Sequence, residues 1–444
     1  MANPITENNQ YNWRGVLGYA LYDWACSPVP TLHATFIFAV YFTTQIAPEN
    51  GTSYWGYMTA LASLSVAIVA PFLGGMADAK SIRKLMLLIF TFIGGVSTLM
   101  LWNILPDNSF MLHALIISFI SIFAMELTFV FYNSLLSSVA KPEQMGFVSG
   151  ISWGFGYFGA IVCLLIALFV FIQAKEPPFG LTWDDSGPVR ATMILAGVWL
   201  FVFSVPAFLF IKEQKTKVEK ISPIRRLVQG FKIILQIPGL LRFMIARMLY
   251  TDGLTVVFAF AGIYAAKVFG FPQSKVIIFA IAVNLFCGIG AIAGGFLEDR
   301  IGPFKTVRFS LFALLILGTG ILLAPTEIWF WIFALLVGIF IGPVQSSSRS
   351  LVARYAPAEH RAQIFGFYMF AGKSTSFIGP AIYGWLVMIS GIIFQPLTGY
   401  LLNMTHEING IHQAADFQFA LGYIPFAIIS TLLVAYTTKE TFKG

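Results

Sequence analysis

Two long apolar segments, about half the chain apart, end in GGMAD (residues 74–78) and in GFLEDRIG (residues 295–302). In each copy a glycine stands four residues before an aspartate, and basic residues follow. A residue as small as glycine lets neighbouring helices approach closely in a membrane, and an acid and a base can pair across a tight loop and hold one packing arrangement. The repeat therefore predicts two related gating loops, whose gating residues are Gly74, Asp78, Arg83, Gly295, Asp299 and Arg300.

The composition is that of a membrane protein. Of 444 residues, 58% are hydrophobic and 11% are charged, whereas a soluble chain carries about 25% charged residues. The formal charge of +7 does not indicate nucleic acid, because the basic residues are spread over short loops and form no single patch. Cys26, Cys163 and Cys287 lie within apolar stretches, so we interpret them as packing residues and not as a disulfide framework.

The hydropathy pattern predicts about twelve membrane-spanning helices, since each span needs about 20 apolar residues. Their approximate bounds are 16–42, 54–77, 85–105, 110–137, 146–172, 191–211, 240–267, 275–297, 307–324, 328–352, 363–389 and 417–436. The longest polar stretch, 212–238, contains a segment at 224–235 that fits an amphipathic surface helix. We therefore expect two six-helix bundles, 1–211 and 239–444, joined by a linker at 212–238.

The basic residues also predict the orientation of the chain. Those on one side of the predicted membrane are Lys175, Arg190, Lys267 and Lys275, and those inside spans are Arg247 and Lys373. All other Lys and Arg residues lie on the side that carries both predicted termini and the linker. Because basic loops stay in the cytoplasm, we expect a multi-pass protein of the cell (inner) membrane with both termini cytoplasmic.

The fullest form of the repeated motif, G-x-x-x-D-R-x-G, resembles the loop signature of the major facilitator superfamily of secondary transporters. The halves also repeat at Tyr22-Asp23 and Tyr250-Thr251-Asp252, which lie in the first and seventh spans. The resemblance implies an all-α membrane protein with two pseudo-symmetric bundles of the same orientation. Such halves are related by an axis along the membrane normal, with the substrate site between them near mid-membrane.

Several stretches resemble one branch of that superfamily, the vacuole-effluxer-like transporters. They are YDWACS (22–27), FYNSLL (131–136), LYTDG (249–253), GPVQSSSRS (342–350) and FGFY (365–368). These bacterial and fungal proteins are relatives of the autophagy-related vacuolar amino-acid exporter. The resemblance implies a transporter of a small metabolite, with amino-acid export as the analogy from the fungal members.

Charged side chains inside predicted spans are candidates for function, because a charge near the bilayer centre costs at least about 2.5–3.5 kcal/mol. The superfamily pattern implies that the first, fourth, seventh and tenth helices line the cavity. The candidate substrate- or proton-binding residues are Asp23, Glu126, Asn133, Asp252, Gln345 and Lys373. Glu126 and Asn133 share a helix face, because they are seven residues apart.

Two interpretations of these residues stay open. In the functional one, a carboxylate takes up a proton or binds a substrate amine, and Lys373 binds a substrate carboxylate. In the structural one, the charges form static pairs between helices, such as Asp252 with Lys373. Arg349, near the inner mouth, is predicted to pair with a carboxylate, and both Arg349 and Arg247 are predicted to have a gating or structural role. The ridge of Gly146, Gly150 and Gly154 fits either a sliding surface between the halves or ordinary close packing.

The sequence thus predicts a secondary transporter that moves a small polar metabolite by alternating access, coupled to a proton or another ion. We expect no enzymatic activity, metal, cofactor or nucleic-acid partner, and we expect a monomer in the lipid bilayer. The alternatives are a carrier of a larger organic anion such as a siderophore or drug, and a sensor derived from a transporter. A channel is less consistent with two repeats that carry gating loops, and no G-x-x-x-x-G-K-[S/T] phosphate loop occurs in the chain.

Overall fold

The structure, a computed structural model, describes residues 12–215 and 222–375. Across these ranges the chain forms helices and no β-strand. The long helices are α1 (Trp13–Ile46), α2 (Gly51–Lys80), α3 (Arg83–Met100), α4 (Met111–Ser134), α5 (Met145–Ile166), α6 (Gly187–Phe210), the linker helix (Pro223–Gln236), α7 (Leu240–Phe269), α8 (Gln273–Ile301), α9 (Pro303–Leu322), α10 (Glu327–Tyr355) and α11 (Arg361–Lys373).

Nine helices in the described part of the chain are long and apolar enough to cross a membrane. A tenth candidate is a bent pair, in which the linker helix and the start of α7 meet at 96°. Large apolar side chains such as Leu61, Phe92 and Leu209 are exposed on these helices, as expected for a surface that lipid covers. The predicted span 417–436 and the second part of the predicted span 363–389 lie outside the described residues.

The two copies of the repeated motif end their helices in comparably tight loops. After α2, Ser81 adopts a left-handed backbone with φ of 51° and donates its N–H to Asp78 O. After α8, Gly302 has φ of 87° and Pro303 begins α9. Positive φ at the end of one helix and proline at the first position of the next are both compatible with a sharp reversal. We call this end of the molecule, which also carries the linker helix, the linker face.

Helix α1 is not a regular α-helix along its whole length. Its backbone widens over Pro30–Phe36, where Ile37 N donates to Leu32 O, five residues back, at 3.0 Å. Pro30 has no N–H to donate, so the α-helical hydrogen-bond ladder is already interrupted there. His33 lies buried in this stretch and its Nε2 is 2.9 Å from Ser118 Oγ of α4. These contacts favour a packing role for His33.

Helices of the first six spans meet those of the later spans along two extensive contacts, α2 with α11 and α5 with α8. Glycines allow both contacts. A methyl group at Gly74 would clash with the carbonyl oxygen of Ala362 on α11, and one at Gly150 would clash with that of Ala291 on α8. The ridge that Gly150 shares with Gly146 and Gly154 therefore lies on the surface between the two sequence halves, as one of the two predicted interpretations requires.

Candidate functional site

The first gating loop binds the start of a helix from the other half of the chain. Asp78 Oδ1 accepts the N–H of Ala362 at 3.1 Å, and Oδ2 accepts that of Gln363 at 2.8 Å. These N–H groups belong to the first turn of α11, where no partner within the helix exists. The carboxylate also lies at the positive end of the helix dipole. Asp78 therefore caps α11 from α2, and the contact joins the two halves at the linker face.

Arg83, at the start of α3, binds both Asp78 and the segment before α11. Its Nε lies 2.6 Å from Asp78 Oδ1, and its Nη2 donates to the carbonyl oxygen of Ala358, just before α11. Arg83 is almost fully buried. The backbone N–H of Arg83 donates to Glu213 Oε1 at 2.8 Å, so the start of the linker in turn caps α3. The structure thus brings together the predicted pair of Asp78 and Arg83.

The second gating loop repeats the same geometry with the halves exchanged. Asp299 Oδ1 accepts the N–H of Gly146 at 2.9 Å, and Oδ2 accepts that of Phe147 at 2.9 Å. Asp299 on α8 therefore caps α5, as Asp78 on α2 caps α11. Close approach is again required, because a methyl group at Gly295 would lie 2.6 Å from Gly146 O.

The basic partner of this second loop comes from another helix. Asp299 forms its ion pair with Arg354 at the end of α10, at 3.1 Å, and not with Arg300. Arg300 follows Asp299 directly on α8 and its side chain is exposed. Adjacent helix positions point about 100° apart, which turns Arg300 away from the carboxylate. Arg354 also lies 3.0 Å from Glu298, a fully buried carboxylate that accepts a hydrogen bond from Ser350.

A buried polar cluster, which we call the latch, lies between α1, α4, α5 and α10 and consists of Asp23, Tyr132, Ser149 and Arg349. Arg349 Nη1 is 2.9 Å from Asp23 Oδ2, and both side chains are nearly inaccessible. The guanidinium also donates from Nε to Ser149 Oγ at 2.9 Å and from Nη2 to Ser149 O at 2.7 Å. Tyr132 Oη donates to the same Asp23 oxygen at 2.9 Å. The Asp23 carboxylate is therefore held by a cation and a hydroxyl, which satisfies a charge that would otherwise be costly to bury.

A second ion pair between the halves is more accessible. Lys373 Nζ on α11 lies 2.7 Å from Glu126 Oε1 on α4. About a quarter of each side chain is exposed, 27% for Lys373 and 25% for Glu126. Lys373 lies twelve residues from the start of α11, so it is about 18 Å inside the linker face. The pair combines a cation and an anion, near mid-membrane, at a place that solvent can reach.

The remaining predicted polar residues lie along the same boundary. Gln345 Oε1 on α10 accepts a hydrogen bond from Tyr157 Oη on α5 at 2.8 Å. Asn133 on α4 is buried, and its Oδ1 accepts no hydrogen bond from the described residues. Glu126, which was predicted to share a helix face with Asn133, is more exposed.

Asp252 on α7 differs from Asp23 in its surroundings. It is only 2% exposed, and its Oδ1 accepts no hydrogen bond from the described residues. Arg247, one turn earlier, does not pair with it in the described contacts. The guanidinium of Arg247 instead stacks 3.5 Å from the ring centroid of Tyr368 and donates to Tyr368 O at 2.8 Å. These contacts fix α7 to α11 and support a structural role for Arg247.

A cavity of about 310 Å³ opens at the end of the molecule opposite the linker face. It lies between α1, α5 and α8, and its wall is mostly apolar. Representative wall residues are Ile37, Tyr41, Gln45, Ile161, Ile281 and Asn284. Among the described helices, α5 and α8 are therefore in close contact toward the linker face, and a cavity lies between them at the other end.

Four residues of this arrangement escaped the sequence analysis: Tyr132, Ser149, Tyr157 and Arg354. Tyr132 lay within a quoted motif, FYNSLL, but its hydroxyl has no partner nearby in sequence. Ser149 and Tyr157 belong to α5, next to the glycine ridge, and no role was predicted for their hydroxyl groups. Each contact joins residues more than 50 positions apart, so the sequence gives no local signal for it.

The fold and the charged boundary between two helical halves define a multi-pass transporter of the major facilitator superfamily. Solved structures support this fold. A bacterial homologue of the iron transporter ferroportin, in an outward-facing state, matches with a TM-score of 0.69 at 14% identity, over 97% of this chain and 100% of that one. The proton:xylose symporter XylE matches with a TM-score of 0.67 at 13% identity, over 98% and 96%.

The chain belongs to the vacuole effluxer Atg22-like family, whose model matches residues 38–145 and 137–398. The uncharacterized MFS-type transporter YxiO of Bacillus subtilis is 27% identical over 95% of this chain and 94% of its own. Autophagy-related protein 22-1 of Penicillium rubens is 22% identical over 84% and 80%. A family of effluxers and a relative described as an MFS-type transporter confirm the class predicted from the sequence, a transporter and not an enzyme.

Proposed function

We propose that the protein is a secondary transporter of a small zwitterionic metabolite, an amino acid or a related compound with both an amine and an acid group. The observation that carries this proposal is the ion pair between Glu126 and Lys373. Among the described ion pairs between the two halves it is the partly exposed one, whereas the pair of Asp23 and Arg349 is buried. An amino acid could replace the pair, its ammonium on Glu126 and its carboxylate on Lys373.

Replacement of the Glu126–Lys373 ion pair by the substrate would link substrate binding to the movement of the two halves. Glu126 belongs to α4 and Lys373 to α11, so a substrate held by both would still join the two halves. Neither charge would be left unpaired at any step, because the substrate supplies the opposite charge as the pair separates. An unpaired buried charge is strongly unfavourable, which makes a neutral or singly charged solute a poorer replacement.

The proposed cycle alternates access between the two ends of the molecule. We assign the linker face to the cytoplasm, from the predicted excess of Lys and Arg there, and the protein to the cell membrane as a monomer. On this assignment the present arrangement is closed to the cytoplasm and open to the exterior. Asp78 and Asp299, each capping a helix of the opposite half, are the proposed cytoplasmic gate.

Proton coupling is assigned to Asp252. Its buried carboxylate has no cation within the described contacts, whereas Asp23 is held by Arg349 and Tyr132. An acid without such partners is the better candidate to gain and lose a proton as the halves move. Asp23 would then serve the latch that closes the cytoplasmic side.

A thermal-shift screen of the purified protein against amino acids, carboxylates, siderophores and nucleosides tests the substrate class, because a true ligand stabilises the folded state. An amino acid that stabilises the wild type should fail to stabilise Glu126→Gln and Lys373→Met. The same compound should exchange across proteoliposomes that contain the wild type. Stabilisation by amino acids that both variants retain would contradict the assigned site.

A second candidate substrate is a larger organic anion, and the cavity of about 310 Å³ with its apolar wall favours it. Such a ligand would use Lys373 and not Glu126. In the same screen, a siderophore or drug-like anion that still stabilises Glu126→Gln but not Lys373→Met would support this second candidate over an amino acid.

A further inference from the structure

The linker helix presents three distinct faces. Ile224, Val228, Phe231 and Leu235 form an apolar stripe along one side. Although apolar, all four are exposed, Ile224 to 71% and Leu235 to 53%. Their spacing of four, three and four residues is that of a single helix face. An exposed apolar stripe of this length needs a covering partner.

The opposite face of the linker helix lies against the gate. Arg226 is buried, its Nη2 donates to Glu359 O at 2.7 Å, and its backbone oxygen accepts Gln363 Nε2 at 2.7 Å. Gly230 approaches so closely that a methyl group there would clash with the Gln363 side chain. Gln363 is also one of the two residues whose N–H groups bind Asp78. The linker helix therefore contacts the same turn of α11 that the first gating loop caps.

The third face is basic. Arg225 and Lys232 are seven residues apart, so they share one side of the helix, next to the apolar stripe. Both are exposed. A helix with an apolar stripe and a basic edge is typical of a segment that lies in the interface of a membrane with acidic lipids.

The direction of the linker helix agrees with that position. It meets the start of α7 at 96°, and Gly239, with φ of 76°, makes the turn between them. Helix α7 contains the seventh predicted span (240–267), and a helix perpendicular to a span runs along the membrane surface. The stripe can then enter the lipid while the opposite face stays on the gate.

We infer that the linker helix is a lipid-docking element. Its apolar stripe inserts into the leaflet at the linker face, and Arg225 and Lys232 bind acidic phospholipid headgroups there. Docking holds Arg226 and Gly230 against α11 and so favours the closed gate. The inference rests on the proposed function only in treating the start of α11 as a gate, since lipid docking itself can be measured without any substrate.

Site-specific labelling tests the docking directly. The three native cysteines are buried, so an environment-sensitive fluorophore can be attached selectively to Val228→Cys. In nanodiscs that contain brominated lipid, this label should be quenched. A label on the adjacent Gln229→Cys, which points to a different side of the helix, should be quenched less. Equal quenching at both positions would overturn the inference. So would a fluorescence of the Val228 label that depends on protein concentration in detergent, because a second copy of the protein would then cover the apolar stripe.

Hydrogen exchange tests the link to the gate. In nanodiscs of phosphatidylcholine with phosphatidylglycerol, the amides of the linker helix and of residues 361–363 should exchange more slowly than in phosphatidylcholine alone. Arg225→Gln with Lys232→Gln should reduce this lipid effect by about fivefold for each charge removed. The matched control, Arg14→Gln with Lys305→Gln, removes two exposed charges elsewhere and should keep the effect. Identical exchange at 361–363 in both lipids would overturn the coupling, whatever the outcome of a transport assay.

Discussion

Two aspartates that the sequence presents as equivalents lie in different environments. Asp23 and Asp252 occupy related positions in the two halves, and both are nearly inaccessible. Asp23 is paired with Arg349, whereas Asp252 Oδ1 accepts no hydrogen bond from the described residues. A buried carboxylate needs a compensating partner, and of these two aspartates Asp23 is the one with a cation among the described contacts. The difference gives the two residues different expected roles.

We predict that Asp252→Asn abolishes pH-driven substrate accumulation but leaves substrate binding and substrate-for-substrate exchange. The amide keeps the shape of the side chain and removes its titration, so a proton gradient can no longer bias the cycle. Uptake into proteoliposomes with and without a pH gradient measures the first effect, and counterflow measures the second. Full pH-driven accumulation by the Asp252→Asn variant would assign the carboxylate to structure.

We predict that Asp23→Asn and Arg349→Gln each destabilise the closed arrangement, by about 3–5 kcal/mol for breaking a buried ion pair. The double variant should be less destabilised than the sum of the two single variants, because no unpaired charge then remains. Unfolding in detergent and the accessibility of the linker face measure these effects. Additive losses in the double-mutant cycle would show that the two residues do not interact.

At the scale of the residue, the sequence singled out charged side chains inside spans but did not reveal their contacts. The cost of a charge in a span pointed to Asp23, Glu126, Asp252 and Lys373 without any structure. It did not reveal that Lys373 pairs with Glu126, since the partners are 247 positions apart. The predicted alternative, a pair of Lys373 with Asp252, would join two residues of the same sequence half. The pair in the structure, Lys373 with Glu126, joins the two halves.

At the scale of the helix, each of the two predicted gating loops caps a helix of the opposite half. We predict that Asp78→Asn weakens the closed gate by about 1–3 kcal/mol. The amide has no charge, and it leaves one acceptor oxygen for the three groups that donate to Asp78, namely Arg83 Nε and the N–H groups of Ala362 and Gln363. Substrate affinity should change little, since Asp78 lies far from Glu126 and Lys373 along the helices. Spin labels at Lys80→Cys and Glu359→Cys, across the linker face, should report a larger share of long distances. A variant that loses affinity but keeps the wild-type distances would contradict a gating role.

A glycine comparison within α2 gives a second test of the gate. Gly74→Ala should open the linker face, because the added methyl group meets the backbone of α11, and such overpacking costs about 1–3 kcal/mol. Gly56→Ala is the matched control on the same helix, since a methyl group there meets nothing within 4 Å. The same spin-label pair reports both variants. Equal behaviour of the two variants would indicate that α2 and α11 do not pack this closely in the membrane.

The helices could largely be predicted from the sequence, but the contacts between helices could be predicted only in part. Long apolar segments separated by basic loops predicted the spans, and the repeated motif predicted the tight turns after α2 and α8. Arg300 was predicted to act in gating because it follows Asp299 in the repeated motif. The helical rotation of adjacent residues directs Arg300 elsewhere, and Arg354 arrives from α10.

At the scale of the whole molecule, topology is the next prediction to test. Cysteines at Lys215 and at the C-terminus should react with an impermeant reagent from the same, cytoplasmic side, and a cysteine at Lys175 should react from the other. The expectation follows from the distribution of Lys and Arg and from an even number of spans. Labelling of Lys215 and the C-terminus from opposite sides would exclude twelve spans with both termini cytoplasmic.

Both gate aspartates contact the opposite half through its backbone N–H groups. Every amino acid except proline supplies that donor, so positions 147, 362 and 363 can change identity without losing the contact to Asp78 or Asp299. Substitutions at positions 147, 362 and 363 are therefore tolerated as long as Asp78 and Asp299 are kept. A comparison of relatives would find the gate conserved on one partner and variable on the other, although both are equally necessary to close it.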